Sequence, residues 1–343
     1  MRLLYFSEAL VPPFDEGIKK AALSLLRELR KSHEVLALTS RGPGIPEDGV
    51  RRIHANRLLA SRGLGNEVRA FQPEQALYFP TACATLFSFV RARMLALYAG
   101  VPAAMIAFQP RRYGRKARLL IPLLRSGPIW AQGRATAEPL RDLGCDVRML
   151  PPAVDSQQFI PVDIAARTAL RGKYSIAEDA YVVLHVGHLL PNRNVPLLAS
   201  LQAGTDAQVV AVGSTAFGAD ESLVRTLRDA GVLVMDRYLP HVEEMYQLAD
   251  CYVFPVRSAM GSIEIPLSVL EAMACNLPVV STRFGELPAL FPEGDGIRYF
   301  ETEAEMIARV QETRRGGPVR TRERVQPYTW AAAARRVAPE MQP

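Results

Sequence analysis

Gly261–Thr282, GSIEIPLSVLEAMACNLPVVST, reads as a loop, a helix, a tight turn and a strand. Pro266 suits the first turn of a helix, where its missing N–H loses nothing. Leu267, Val269, Leu270, Met273 and Ala274 follow at helical apolar spacing. Asn276 closes the helix, Pro278 prevents its continuation, and Val279–Thr282 is a β-rich run. Two carboxylates frame the helix start: Glu264 precedes Pro266, and Glu271 lies one turn inside. Between them the backbone amides of Leu267, Ser268 and Val269 are expected to lack intrahelical partners. With the positive end of the helix dipole behind them, they form a site for a phosphate. A carboxylate at Glu271 accepts hydrogen bonds from the vicinal hydroxyls of a ribose, so a nucleoside diphosphate fits the stretch. A buried amphipathic helix with a well-formed N-terminus explains every residue except that carboxylate, and both readings stand at this point.

Outward from this stretch the second half of the chain alternates strand and helix. Cys251–Pro255, Val232–Met235, Gln208–Val212 and Tyr181–Val186 read as strands. Val242–Ala249, Ser222–Ala230 and Val195–Ala203 read as the helices between them. That rhythm implies a doubly wound parallel sheet, whose ligands sit at the C-terminal strand ends. Gly187–Val195 (GHLLPNRNV) follows the first of these strands. Gly187 lets a ligand approach the backbone. Arg193 is always charged and grips phosphate in a bidentate fork, whereas His188 is cationic only near or below its pKa. A surface arginine before a helix is the competing reading of Arg193.

The first half opens the same way, with strand Arg2–Ser7, a Pro-rich loop containing Gly17, helix Ala21–Arg30 and strand Glu34–Thr39. Arg41–Ala70 is an irregular excursion. Gln75–Phe79 and Pro102–Phe108 read as strands flanking a helix over Thr81–Ala99, with Leu86, Phe89, Val90, Met94 and Leu97 on one face. Pro151-Pro152 and the following Val154, Asp155 and Phe159 make a stiff linker, and the boundary is expected near Pro161. The domains are then 1–160 and 161–327, with a terminal helix from Tyr328, within 328–343, completing the first and anchored by Trp330.

Pro266–Ala274 (PLSVLEAMA) resembles the donor-binding segment of the GT-B glycosyltransferases, in particular the large retaining nucleotide-sugar family four, the glycosyl transferases group 1. That family carries paired Glu residues, the second in a context like Pro-Leu-x-x-Leu-Glu-Ala-Met-Ala. Glu271 matches the second. The first falls on Ile263, and Glu264 comes one place late. The family's Gly-Arg and Lys-Gly, whose cations hold the diphosphate, correspond to Gly187-His188 and Arg193. Its Gly pair in the first loop corresponds to Glu16-Gly17, so only Gly17 carries over. Met235–Asp250 is similar to the segment whose backbone contacts the base. The resemblance implies an α/β chain of GT-B fold, two doubly wound Rossmann-like domains facing a cleft. It implies transfer of a sugar from a nucleotide-diphosphate donor, with retention, to a glycan, lipid-linked or small-molecule acceptor. Arg193, His188 and Glu264 are then the catalytic candidates. Gly187, Leu267, Ser268, Val269, Glu271 and Gly17 are the donor-binding ones. A non-catalytic GT-B relative that binds nucleotide or glycan and a nucleotide-sugar epimerase are the alternatives.

Composition is consistent with this. A chain of 343 residues suits two domains, and 49% hydrophobic with 22% charged residues supplies proper cores. The net charge of +6 favours anionic partners. The four cysteines have no metal spacing and read as thiols of a reducing compartment. No Asp-Xaa-Asp pair occurs, so no metal and no further cofactor are expected. No nucleic-acid motif appears either. Neither a signal peptide nor a membrane-spanning run is read, and the expected location is cytoplasmic, peripheral at the inner membrane face. The peripheral part rests on Gln109–Arg125 (QPRRYGRKARLLIPLLR), where basic residues 111–125 surround leucines. It reads either as a segment that sits on an anionic bilayer or as a solvated helix whose leucines face the core.

Overall fold

The computed structural model describes residues 1–339 apart from 82, 216, 217 and 219. Two compact units divide the chain. Unit 1 holds Met1–Pro152 and the chain from Trp330 onward; unit 2 holds Ala153–Thr329. The division at Pro152 comes before the expected one near Pro161, because the residues in between are already tied into unit 2. Val154 N–H donates to the Tyr328 carbonyl at 3.0 Å, and Arg322 donates to the carbonyls of Ser156 and Phe159, each at 2.8 Å.

Unit 1 contains strands β1 (Arg2–Ser7), β2 (Glu34–Thr39), β3 (Val50–Arg52), β4 (Gln75–Phe79), β5 (Ala103–Ala107), β6 (Ile129–Ala131) and β7 (Val147–Met149). They form a parallel sheet in the order β3-β2-β1-β4-β5-β6-β7. Unit 2 contains β8 (Val182–Gly187), β9 (Gln208–Gly213), β10 (Leu233–Met235), β11 (Cys251–Phe254), β12 (Val279–Ser281) and β13 (Ile297–Tyr299). These are also parallel, in the order β10-β9-β8-β11-β12-β13. Near-continuous apolar runs such as VVL in β8 and CYVF in β11 are what a sheet covered on both faces demands. Each such side chain taken from water contributes roughly 1.5–3 kcal/mol. Strand order reverses between β8 and β11, which opens a crevice at their C-terminal ends.

Several elements differ from the sequence reading. Helix Leu86–Ala99 starts later than Thr81, because Thr85 and Ser88 form a reciprocal capping box. Its buried face runs through Phe89, Ala92 and Leu95, and Leu97 faces solvent. The excursion after Arg41 contains a helix, Arg62–Phe71, whose first turn is capped by Ser61 Oγ accepting from Leu64 N–H at 3.3 Å. The terminal helix is Trp330–Val337; the rest of the expected segment, 340–343, lies outside the described residues. It packs on helix Gly17–Ser32, and Gln75 Nε2 donates to the Val337 carbonyl at 2.7 Å. Trp330 is buried in unit 1.

The basic stretch folds as helix Arg115–Leu124. Ile121 is its only fully buried residue, seated in the unit 1 core. Leu119, Leu120 and Leu123 are 74%, 40% and 76% exposed, so the expectation that the leucines face the core fails for these three. The helix face that packs on the core carries Ile121 with Ala117 and Leu124 partly buried beside it, and the other three leucines lie off that face.

Candidate functional site

The crevice between β8 and β11 is built from the end of β8 upward. His185 and Gly187 lie on the same side of β8, since alternate residues of a strand share a face. After Gly187 the chain passes His188 and makes one 3₁₀ turn, Pro191–Arg193. Asn194, in the left-handed region at φ 59°, then reverses it. This turn folds the Arg193 side chain back over the strand end. Its Nη1 lies 3.2 Å from where a β-carbon on Gly187 would stand, and its Cγ lies 3.7 Å from the same point on Gly261. A β-carbon on Gly187 would push the guanidinium aside by a few tenths of an ångström, so the glycine lets Arg193 pack close against the strand end.

The other wall is helix Leu267–Ala274. Pro266 is its N-cap, with φ −63° and ψ 123°, not a residue of the first turn as expected. The first turn is also tightened by a 3₁₀-type bond. Val269 N–H donates to the Pro266 carbonyl at 3.2 Å and Leu270 N–H to the same oxygen at 3.4 Å. Val269 is thus not an open donor, contrary to the sequence reading. Among the described residues, the backbone amides of Leu267 and Ser268 have no hydrogen-bond acceptor.

Tyr252 connects the two walls. Its hydroxyl donates to the Val186 carbonyl at 3.3 Å and is hydrogen-bonded by Ser268, while the charges of Glu271 and Arg193 both act on it. Burial is the main reason that this phenol is held well above its ordinary pKa. Glu271 is buried, and its Oε2 accepts from Tyr246 Oη at 2.7 Å. Tyr246 stacks on Tyr252 with ring centroids 5.9 Å apart and meets Phe159 edge-on at 5.4 Å. A cation, two open amides and a fixed carboxylate therefore converge at the C-terminal ends of β8 and β11. Such a set binds a phosphate and a pair of hydroxyls.

Residues 180–313 match the family model described as Glycosyl transferases group 1. All of the matched residues lie in unit 2. The sequence is similar to a D-inositol 3-phosphate glycosyltransferase of Geodermatophilus obscurus, at 34% identity over 183 residues, or 46% of this chain and 39% of the relative. It is similar to a GDP-mannose-dependent alpha-(1-6)-phosphatidylinositol monomannoside mannosyltransferase of Mycolicibacterium smegmatis, at 30% over 159 residues, 42% of this chain and 40% of the relative. The matched stretch thus spans about two fifths of these curated relatives. Among solved structures, Anabaena HepE in complex with UDP superposes at a TM-score of 0.78 with 13% identity, covering 98% of both chains. A Rickettsia africae glycosyltransferase superposes at 0.80 with 9% identity, covering 98% of this chain and 96% of that one. At those identities the likeness establishes the fold, which is GT-B.

Of the residues singled out in the sequence, Arg193 packs against Gly187, and Ser268, Glu271 and Arg193 all act on the Tyr252 hydroxyl. His188 follows Gly187 directly and is buried, 6% exposed. Glu264 is also buried, 3% exposed, and its backbone is clamped by the next turn. Glu286 N–H reaches the Glu264 carbonyl at 3.4 Å. Gly285, at φ +52°, sits so close that a β-carbon there would be 2.2 Å from the Glu264 carbonyl oxygen. Gly17 is the first residue of helix Gly17–Ser32 and belongs to unit 1. Sequence reasoning missed Tyr246, Tyr252 and His185. For His185 and Tyr252 the available signal was a polar group in an otherwise apolar strand, whereas Tyr246 sits in the polar helix EEMYQL, where nothing marks it.

Gly285→Ala should expose the clamp. The left-handed backbone alone costs about 1–2 kcal/mol with a β-carbon, and the contact forces the Glu264 backbone to move. A lowered melting temperature together with weaker donor binding is expected. An Ala variant with the parent's melting temperature and affinity would show that the clamp positions nothing.

Proposed function

We propose that the chain is a glycosyltransferase that uses a nucleotide-diphosphate sugar, with the donor bound on unit 2 and unit 1 serving the acceptor. The observation that carries this reading is the convergence of Arg193, the Leu267 and Ser268 amides and Glu271 around Tyr252. UDP in the HepE complex and GDP-mannose in the name of the mycobacterial relative agree with it. As the bond from sugar to diphosphate lengthens, negative charge collects on the leaving phosphate. Donors fixed there stabilise that charge more than the ground state. Arg193 supplies a full charge, and the two amides supply the helix end. Glu271, already oriented by Tyr246, accepts from the ribose hydroxyls. Glu264 contacts the transferred sugar, and Gly187 leaves room for the phosphates. His188 borders the same site.

Retention of configuration and an acceptor that is a glycan, a lipid-linked sugar or a small molecule complete the reading. A thermal-shift panel of UDP, GDP, ADP and CMP tests it. Stabilisation by one nucleoside diphosphate, followed by turnover of its sugar donor, is expected. Stabilisation without turnover of any donor would favour a non-catalytic nucleotide-binding relative.

The positive charges already present at the diphosphate are the reason to propose transfer without a metal and without a further cofactor. EDTA should then leave the transfer rate unchanged. Loss of activity restored by a divalent cation would overturn that part.

The exposed face of helix Arg115–Leu124 supports docking on the anionic inner leaflet of a membrane, and with it a cytoplasmic, peripheral location. Leu119 and Leu123 lie outward beside exposed Arg111, Arg112, Arg115, Lys116 and Arg118. Among the described residues no helix is long and apolar enough to cross a membrane. Basic residues near an anionic surface contribute about 1 kcal/mol each. Co-sedimentation with phosphatidylglycerol vesicles should be lost in Leu119→Glu/Leu123→Glu, and neutral vesicles should bind neither protein. Equal sedimentation of parent and variant would refute the docking face.

A further inference from the structure

His185 is fully buried in the middle of an apolar strand, beneath the candidate diphosphate site. Its Nδ1 is 3.0 Å from the Val253 carbonyl on the neighbouring strand β11. A carbonyl only accepts, so Nδ1 carries the proton and Nε2 presents a bare lone pair. Among the described residues Nε2 has no hydrogen-bond partner. A buried acceptor without a donor costs free energy, and such a group calls for an explanation. What lies near that nitrogen supplies it. Nε2 is 3.5 Å from the position a β-carbon on Gly187 would occupy, and Arg193 Nη1 is 3.2 Å from that same position. The acceptor and the guanidinium thus both lie beside the same point at Gly187.

We infer that His185 is a positioning residue for Arg193: its Nε2 accepts a hydrogen bond from the guanidinium when the donor diphosphate is bound, and so fixes the angle of the fork. The inference rests on the reading of unit 2 as the nucleotide-sugar site. The alternative role, a second cation on the phosphate, conflicts with the chemistry. Burial first, and the Arg193 charge in addition, lower the His185 pKa to about 4, while its bond to Val253 opposes this. The ring is neutral at physiological pH, and a bare nitrogen lone pair repels a phosphate oxygen. It attracts an N–H. The Val253 bond limits tilting of the imidazole, and the Tyr252 ring lies nearly parallel to it with centroids 6.5 Å apart. Arg193 uses its remaining N–H groups for phosphate, since a guanidinium has five.

A double-mutant cycle tests this, read by calorimetry with the nucleoside diphosphate that stabilises the parent protein most. His185→Asn keeps a donor for the Val253 carbonyl and removes the acceptor at Nε2. His185→Gln carries an amide oxygen far enough out to replace it. In the parent background His185→Asn should weaken diphosphate binding about tenfold or more, and His185→Gln should recover most of that loss. In the Arg193→Ala background His185→Asn should have no further effect. Melting curves of each variant separate folding loss from binding loss, and His185→Phe provides a ring-shaped second variant expected to behave as His185→Asn. Equal weakening by His185→Asn with and without Arg193 would overturn the positioning role while leaving the nucleotide site intact. Failure of the parent protein to bind any nucleoside diphosphate would overturn the site and this inference together.

Discussion

Replacing Arg193 with Ala is expected to lower kcat/KM for sugar transfer by about 10²–10³-fold, the usual loss when one preorganised charge-stabilising donor is removed. Its expected effect is the largest because it is the one full positive charge that the structure shows folded over Gly187 at the end of β8. The loss should appear mainly in kcat if the guanidinium meets charge that develops only as the glycosidic bond breaks. Arg193→Lys should recover little. An ammonium is a point charge and cannot present a planar fork of N–H donors. Turnover of the Ala variant within a factor of two or so of the parent would remove Arg193 from the mechanism.

Glu271→Ala should weaken nucleotide binding by about 10–100-fold, since hydrogen bonds to a charged group contribute roughly 1.5–3 kcal/mol. The structure adds a complication that decides how the experiment is read. Glu271 also accepts from Tyr246 Oη at 2.7 Å, and Tyr246 is fully buried. The Ala variant strands that hydroxyl, at about 1–3 kcal/mol of stability. Glu271→Gln separates the two effects. Its amide oxygen still accepts from Tyr246, while its NH₂ cannot accept from a ribose hydroxyl. The Gln variant should therefore melt near the parent temperature and still bind nucleotide poorly. Parent-like affinity in both variants would refute the ribose role and leave Glu271 as a core carboxylate serving Tyr246.

Much of this architecture is legible in the residues. The strands of unit 2 announce themselves as short apolar runs between helix-length segments, and β9 and β11 fall within a residue of the expected bounds. Gly187 and Arg193 are readable because a glycine at a strand end and a nearby arginine have few purposes together. Other features lie beyond pattern reasoning. The Val269 amide is taken up by a 3₁₀-type bond to the Pro266 carbonyl in the first turn of helix Leu267–Ala274, a local tightening that apolar spacing does not encode. Helix Arg62–Phe71 has only Leu64, Gly65 and Val68 buried, too few apolar positions to show a period. Helix Ile164–Lys173 is poorer still, with Arg171 as its one buried residue, held by Asp250 at 2.6 Å and the Leu248 carbonyl at 3.2 Å. Its position is fixed by an ion pair to a distant part of the chain, which no local window contains. The exposed leucines of Arg115–Leu124 make the same point in reverse. Their spacing allows an inward face, and it is the packing of Ile121, Ala117 and Leu124 on the core that settles which way they turn.

The most direct measurement is a crystal structure of the protein with the nucleoside diphosphate that stabilises it most. The β-phosphate should lie within hydrogen-bond distance of both the Arg193 guanidinium and the Leu267 or Ser268 amide, with the ribose hydroxyls on Glu271. A diphosphate held elsewhere, with Arg193 and the helix end contacting none of its oxygens, would contradict the account.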